Sequence, residues 1–250
     1  HSLAHIMAQA VQHLWPQAKF GVGPAIDNGF YYDIDLGDVK ISEEDFKRIE
    51  KEMRSIIAQD LPFTHQDVPI DEAIVWADRK DQPYKIELLN DLKRSGTTVA
   101  KELAGQQLGV AGDDDSKIDT VSLYSQGDYT DLCRGGHVES TGRVGAFKLM
   151  RVAGAYWRGD ENNPQMQRLY GVAFATQAEL DDYLEMLEEA KKRDHRKLGR
   201  ELDLYTMSPL VGIGLPLFTP RGTVLRDKAA QLSNELRQKY GFMKVWTPHI

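Results

Sequence analysis

The sequence predicts an α+β fold, a mixed but mainly antiparallel sheet with helices packed on it, and three observations carry that prediction. Apolar residues recur at helical spacing in the opening segment, over residues 42–59 and again from residue 176 onward. Short alternating runs fill residues 118–174 between Gly-containing turns. Asp27-Asn28-Gly29 separates two further alternating runs, a strong hairpin signal.

Taken in order, the first helix places Leu3, Ile6, Met7, Ala10, Val11 and Leu14 on one stripe. His1 and His5, stacked at i,i+4, fall nearly opposite that stripe and must look into solvent, a cleft or a second apolar layer. PQAKFGVGPAIDNGFYYDIDL then supplies the hairpin. Ser42 with Asp45 makes a capping-box-like start to a helix carrying Phe46, Ile49, Met53, Ile56 and Ile57 as far as about Gln59. Asp71 begins a shorter helix toward Lys80, and Pro83 is expected to halt anything helical before KIELL. Residues 94–117, with four glycines and the Asp113-Asp114-Asp115 run, predict a mobile surface insertion to which no chemistry is assigned. From Ile118, DTVSLYSQGDYTDLC, FKLMRVAGAYWRG and QRLYGVAFA supply strands. Thr176 with Glu179 caps a long helix whose Leu180, Tyr183, Leu184 and Leu187 form the buried stripe and whose second half is KKRDHRKLGR. Past Gly199 the periodicity restarts with LDLYTM, a Gly/Pro-rich stretch, a second long helix from about Gly222 to Tyr240 and a strand KVWTPHI. That restart sets a domain boundary near residue 200.

With 250 residues the chain can bury a core without covalent staples, so stability does not explain its one cysteine. Cys133 has no intrachain disulfide partner, which fits a reducing compartment and leaves open a metal ligand, a reactive thiol or a small buried hydrophobe. A formal charge of -7 and a pI near 5.5 exclude a global electrostatic case for nucleic acid, so any RNA contact must rest on local basic patches. No apolar run approaches a membrane span and no basic start leads into a hydrophobic signal core, so a soluble, cytoplasmic chain without a membrane partner is expected. It opens without Met inside HSLAH and stops at WTPHI, which predicts a piece of a longer protein.

Three constellations carry chemistry. His1 and His5 in HSLAH, with Cys133 and His137 in CRGGH, match a tetrahedral zinc shell in ligand number and type. Free of metal, the same four groups can hold a water and shuttle its proton, because histidine titrates near neutrality. In DLCRGGH, Gly135 and Gly136 let backbone N–H groups approach a substrate oxygen, while Asp131 and Arg134 add a charge of each sign beside the thiol. KKRDHRKLGR concentrates Lys191, Lys192, Arg193, Arg196, Lys197 and Arg200, a density that can neutralise RNA phosphates. The competing reading is a solvated helix held by the i,i+4 pairs Glu188 to Lys192 and Glu189 to Arg193.

HSLAH, GPAIDNGFYYD, DLCRGGH, KLMRVAGAYWRGDENN, QRLYG and EEAKKRDHRKLGRELDLY together resemble the threonyl-tRNA synthetases, and the resemblance spans essentially the whole chain. It implies an editing domain over residues 1–178, a linker helix over 179–200 and the truncated start of a class II aminoacylation domain over 201–250. In that family the HxxxH and CxxxH segments line a site where serine wrongly attached to threonine tRNA is hydrolysed, so His1, His5, Cys133 and His137 are the implied catalytic set. Lys85 and Asp131 match two more pocket residues, and Tyr31 is implied to line the pocket. In this reading His1, His5 or both position the water, Lys85 orients the ribose or polarises the ester, Cys133 and His137 shape the cup, and Asp131 anchors the amine. Arg134 joins the substrate-binding set.

Serine is threonine minus a methyl, worth only about 1–3 kcal/mol in a binding pocket, which is why a second hydrolytic sieve is needed. The resemblance implies that the editing pocket works without metal; a zinc-dependent alanyl-type hydrolase with His1, His5, Cys133 and His137 as ligands is the alternative. A second alternative is a non-catalytic tRNA-binding appendage. The implied partners are the acceptor end of tRNA(Thr) and a second copy of the parent, joined through the motif 1 region. Motifs 2 and 3, Mg-ATP and the family's threonine-selecting zinc belong beyond residue 250, so this stretch is not expected to aminoacylate. Gly136 departs from the family's usual proline in CRGPH.

Overall fold

Helix α1 (Ser2–Leu14) is buried at every position from Ser2 to Val11. Its apolar stripe explains only half of this: Ala4, Ala8 and Ala10, all 0% exposed, let neighbouring backbones close in on the other side as well. The polar face predicted for His1 and His5 therefore meets a second layer, and His5 is 2% exposed.

The computed structural model describes residues 1–96, 118–212 and 214–246, and the chain divides into two units, His1–Asp181 and Asp182–Ile250. After α1 come β1 (Lys19–Phe20), β2 (Ala25–Ile26) and β3 (Gly29–Asp35). β2 and β3 are antiparallel across the predicted turn, where Asn28 takes φ 58° as the hairpin requires. Helix α2 (Glu43–Ala58) starts with the expected reciprocal capping box between Ser42 and Asp45. β4 (Thr64–Pro69), α3 (Ile70–Arg79) and α4 (Pro83–Ser95) follow. α3 ends before Pro83 as expected, and Pro83 itself opens the next helix, which carries KIELL and which the sequence reading does not assign. A missing N–H costs nothing in the first turn of a helix. Gly96 ends α4 with φ 68°, and the expected insertion, from residue 97 on, lies outside the described residues.

β5 (Thr120–Gln126), β6 (Tyr129–Leu132), β7 (Ala146–Tyr156) and β8 (Gln165–Phe174) complete the first unit's strands. Two sheets form, not one mixed sheet. The larger has the order β1-β3-β8-β7 with β2 also on β3, the smaller has the order β4-β5-β6, and their pairings are antiparallel. α1 and α2 pack Leu3, Ile6, Met7, Ile49, Met53 and Ile56 against Phe30, Tyr32 and Ile34 of β3. α3 and α4 cover the smaller sheet through Ala73, Ala77, Leu89, Leu92, Val121 and Leu123.

Helix α5 (Gln177–Lys192) begins with the predicted Thr176–Glu179 box and buries Leu180. It stops where the sequence predicts continuation: Asp194 accepts from the Arg196 N–H and caps a separate α6 (His195–Glu201). β9 (Tyr205–Thr206), β10 (Leu217–Phe218) and α7 (Pro220–Lys239) complete the second unit. Among its described residues only Gly199 and Gly222 are buried. Lys244–Trp246 is not a strand, and the rest of the expected final strand lies outside the described residues. Among the described residues no helix is long and apolar enough to cross a membrane.

Candidate functional site

One end of α1 meets the loop after β6, and this junction brings His1, His5, Cys133 and His137 together: one ligand atom from each lies within 4.8 Å of all the others. Cys133 Sγ is 3.5 Å from His1 Nε2 and 3.3 Å from His137 Nε2. The His5 ring centroid lies 4.3 Å from that of His137 and 5.1 Å from that of His1.

Backbone and side chains around the cluster set its hydrogens. His1 Nδ1 is 3.0 Å from the Gly135 carbonyl, which can only accept, so Nδ1 carries the proton and Nε2 keeps its lone pair. His137 Nδ1 contacts Ser2 Oγ at 3.2 Å, and Ser2 Oγ also accepts from the Val138 N–H at 3.1 Å. Phe63 stacks on His137 at 4.7 Å and Tyr124 closes its other side at 5.0 Å. Burial lowers the proton affinity of His137, to a pKa of about 4; burial, with the nearby His137 and Lys85, also holds His5 well below the usual imidazole range. Burial pushes the Cys133 thiol up to about 11, so it is an S–H donor at neutral pH. Gly135 takes φ 96° and donates its N–H to Cys133 Sγ at 3.2 Å. That commits one of the two glycine N–H groups to the thiol; Gly136, at φ 80°, has open space in front of it.

Beneath the cluster lies a buried ion pair. Lys85 Nζ of α4 stands 2.5 Å from Asp131 Oδ1, with the two residues 3% and 2% exposed. Asp131 also accepts from the Tyr32 hydroxyl, from the Leu132 N–H at 2.8 Å and from Tyr129 at 3.4 Å. Lys85 donates to Tyr32 Oη at 3.1 Å. Gln82, one turn earlier, accepts from Phe20 N–H and donates to the Ala18 carbonyl, which ties the start of α4 to β1 and aims Lys85 inward.

Two sequence expectations change here. Tyr31 does not face the cluster, because β3 alternates: Phe30, Tyr32 and Ile34 share the core face, while Tyr31 packs on Tyr170 and under the Arg168 guanidinium. Tyr32 takes its place, and the period-2 pattern of GFYYDID was the signal for it. Asp131, expected to anchor a substrate amine, is instead fully coordinated by protein donors. Arg134 is exposed on the same loop. The basic run lies apart in sequence and is largely ion-paired with its neighbours: Lys191 with Glu188, Lys192 and Arg193 with Glu189, Arg196 with Asp194 and Lys197 with Glu201. Ser2, Phe63, Tyr124 and Tyr129 went unnoticed in the sequence, since single aromatic and Ser residues carry no spacing signal of their own.

The donors also fit a zinc ion in kind. Tetrahedral edges of about 3.5 Å match the two sulfur–nitrogen distances, and Gly135 O and Ser2 Oγ stand where outer partners of ligating imidazoles do.

Residues 121–170, from β5 into β8, match the family described as the threonyl and alanyl tRNA synthetase second additional domain. That stretch, with Cys133 and His137 in it, is thereby similar to a module of the tRNA synthetase class that is associated with editing. The whole chain is 46% identical to a threonine–tRNA ligase of Clostridium acetobutylicum, 47% to one of Rubrobacter xylanophilus and 44% to one of Thermotoga neapolitana, each over 100% of this chain. By that likeness the chain belongs to the threonine–tRNA ligase family, and it spans 35% of the length of these relatives.

Proposed function

We propose that residues 1–178 are an editing hydrolase that removes serine from mischarged seryl-tRNA(Thr), with 179–200 as a linker and 201–250 as the opening of a class II aminoacylation domain. The observation that carries this reading is the convergence of three imidazoles and a thiol within 4.8 Å. Serine differs from threonine by a methyl, so a first pocket discriminates by only about 1–3 kcal/mol and a second site must hydrolyse the error.

The tautomers assign the roles. His1 Nε2 holds a lone pair and takes a proton from the attacking water; the Cys133 S–H, 3.5 Å away, helps hold that water. The Gly136 N–H and the field of Lys85 stabilise the developing oxyanion, while His137 and Cys133 shape the cup. The ester C–O bond breaks, the ribose oxygen takes the proton from His1, and serine leaves as the acid, which gives its remaining proton to solvent. Asp131 acts by holding Lys85 in place. Arg134 meets the nucleic acid at the mouth. The acceptor end of tRNA(Thr) is the substrate partner; charging with threonine and ATP, and dimerisation through the motif 1 region, belong to the parent enzyme.

A zinc-dependent hydrolase is the second reading, favoured by the donor distances around Cys133. A bound ion there would supply Lewis-acid polarisation. The metal-free reading is preferred because the buried ammonium of Lys85 already acts on His5 and opposes a second cation. Assaying the chain with seryl- and threonyl-tRNA(Thr) side by side tests the proposal. Selective loss of serine that survives a chelator is the expected result; no deacylation of either overturns it, and chelator-sensitive activity selects zinc.

A further inference from the structure

His1, His5, Gln9 and His13 lie four residues apart along α1, and the turn between β5 and β6 runs beside them. Gln126 acts on the His5 imidazole, Gly127 approaches the Gln9 amide, and Asp128 accepts from Gln9 at 2.8 Å and meets His13 Nε2 at 3.1 Å. At the inner end of this seam four buried polar atoms have no protein partner: His5 Nδ1, Gln9 Oε1, and both Nε2 and Oε1 of Gln126. Gln126 is 0% exposed, and Gln9 and His5 are each 2% exposed. Leaving such atoms unmet is costly, and four on facing elements define a polar niche rather than an isolated defect.

The other edge of the His5 ring faces a fixed charge. His5 Nε2 is 4.0 Å from Asp131 Oδ2, and a carboxylate draws the proton to the nitrogen nearest it. Nδ1 is then left as an acceptor, pointing at the niche.

We propose that an ordered water bridges His5 Nδ1, the Gln126 carboxamide and Gln9 Oε1, and that Gln126 is through it a positioning residue that holds His5 in the Nε2–H tautomer. His5 then donates toward Asp131 and cannot act as the base, which leaves His1 to do so. This deepens the hydrolase reading and rests on it only for its effect on rate; the tautomer itself is a property of the substrate-free chain.

The test uses ¹⁵N-histidine-labelled full chain without substrate, reading the His5 ring nitrogens by NMR. Wild type is expected to show Nε2–H with an accepting Nδ1. Gln126→Leu is expected to give a mixture, and Gln126→Glu, of the same shape but acceptor only, to draw the proton to Nδ1. Wild-type His5 in the Nδ1–H form, or the same tautomer in all three, overturns the proposal, and the wild-type spectrum alone decides if a variant fails to fold. With seryl-tRNA, Gln126→Leu is expected to lower kcat about tenfold with KM unchanged. A wild type inert on seryl-tRNA but showing the Nε2–H form would sink the hydrolase reading and leave the tautomer assignment standing.

Discussion

Lys85 and Asp131 are both at least 97% removed from solvent, so each ion depends on the other and on Tyr32 for its solvation. Removing one partner strands a buried charge, and Lys85→Met or Asp131→Leu alone is expected to cost about 3–5 kcal/mol of stability in urea unfolding. The double variant should recover most of that, and a cycle with no coupling would show that the pair is not a pair. Histidines give a pH signature. His5 and His137 have folded pKa values below their ordinary 6.5, so the unfolded chain takes up protons first as pH falls. Both contributions are complete above 6.5 and fall away below it, that of His137 between 6.5 and about 4. His13 runs the other way: partial burial opposes its charge, but Glu52 at 2.7 Å and Asp128 raise its pKa, so its contribution is present below 6.5 and lost as pH rises through the folded value. His13→Gln should therefore steepen the gain in stability between pH 5 and 8, and His137→Gln should flatten it, in unfolding titrations. At this scale the sequence pointed to four residues that do converge, His1, His5, Cys133 and His137, because the HxxxH and CxxxH spacings stand out in it. It could not reveal that Asp131 serves Lys85 instead of a ligand, since that depends on a 2.5 Å contact between residues 46 apart in number.

Register decides which tyrosine works. On β3, Tyr32 shares a face with Phe30 and Ile34 while Tyr31 turns to Tyr170, so Tyr32→Phe is expected to lower deacylation about tenfold and Tyr31→Phe to leave it near wild type. Equal effects in a rate assay would mean that the strand's face has been misjudged. Helix starts were the most legible elements. Ser42 with Asp45 and Thr176 with Glu179 are local pairs, readable without tertiary knowledge, and Ser42→Ala should cost about 1 kcal/mol in thermal or urea unfolding. The helix that Pro83 opens was not legible: proline both ends and begins helices, and here it does both, with Gln82 clamped onto Ala18 and Phe20 at the new start. The break between α5 and α6 hid inside a charged run, where Asp194 passes equally for a helix surface residue and a cap.

Across the molecule the two units differ in what holds them. The first has three apolar clusters among its described residues and the whole candidate site; the second, among its described residues, buries only two glycines, while Leu210, Met243, Val245 and Trp246 are 79–98% exposed. Backbone hydrogen bonds without apolar burial do not offset chain entropy. Amide exchange should therefore be slow in α1, α2, β3 and β8 and fast through α7, and protection of α7 comparable to that of α1 would refute this contrast. The α+β class was readable because periodicities of 2 and 3.6 separate cleanly along the chain. The division of strands into two sheets was not, because residues 64–69 form an exposed edge strand of polar residues whose pairing with β5 is set far along the chain.

The enclosure of α1 constrains how this protein can change. His5 is flanked by Ala4 and Ile6, each with no exposed surface, so a substitution that retunes the imidazole also disturbs packing on two sides. Retuning the site therefore has almost no neutral steps available on the helix. On the loop from Cys133 to His137 the exposed Arg134 is open to variation, whereas Gly135, at φ 96° with the Tyr124 hydroxyl where a Cβ would sit, is not.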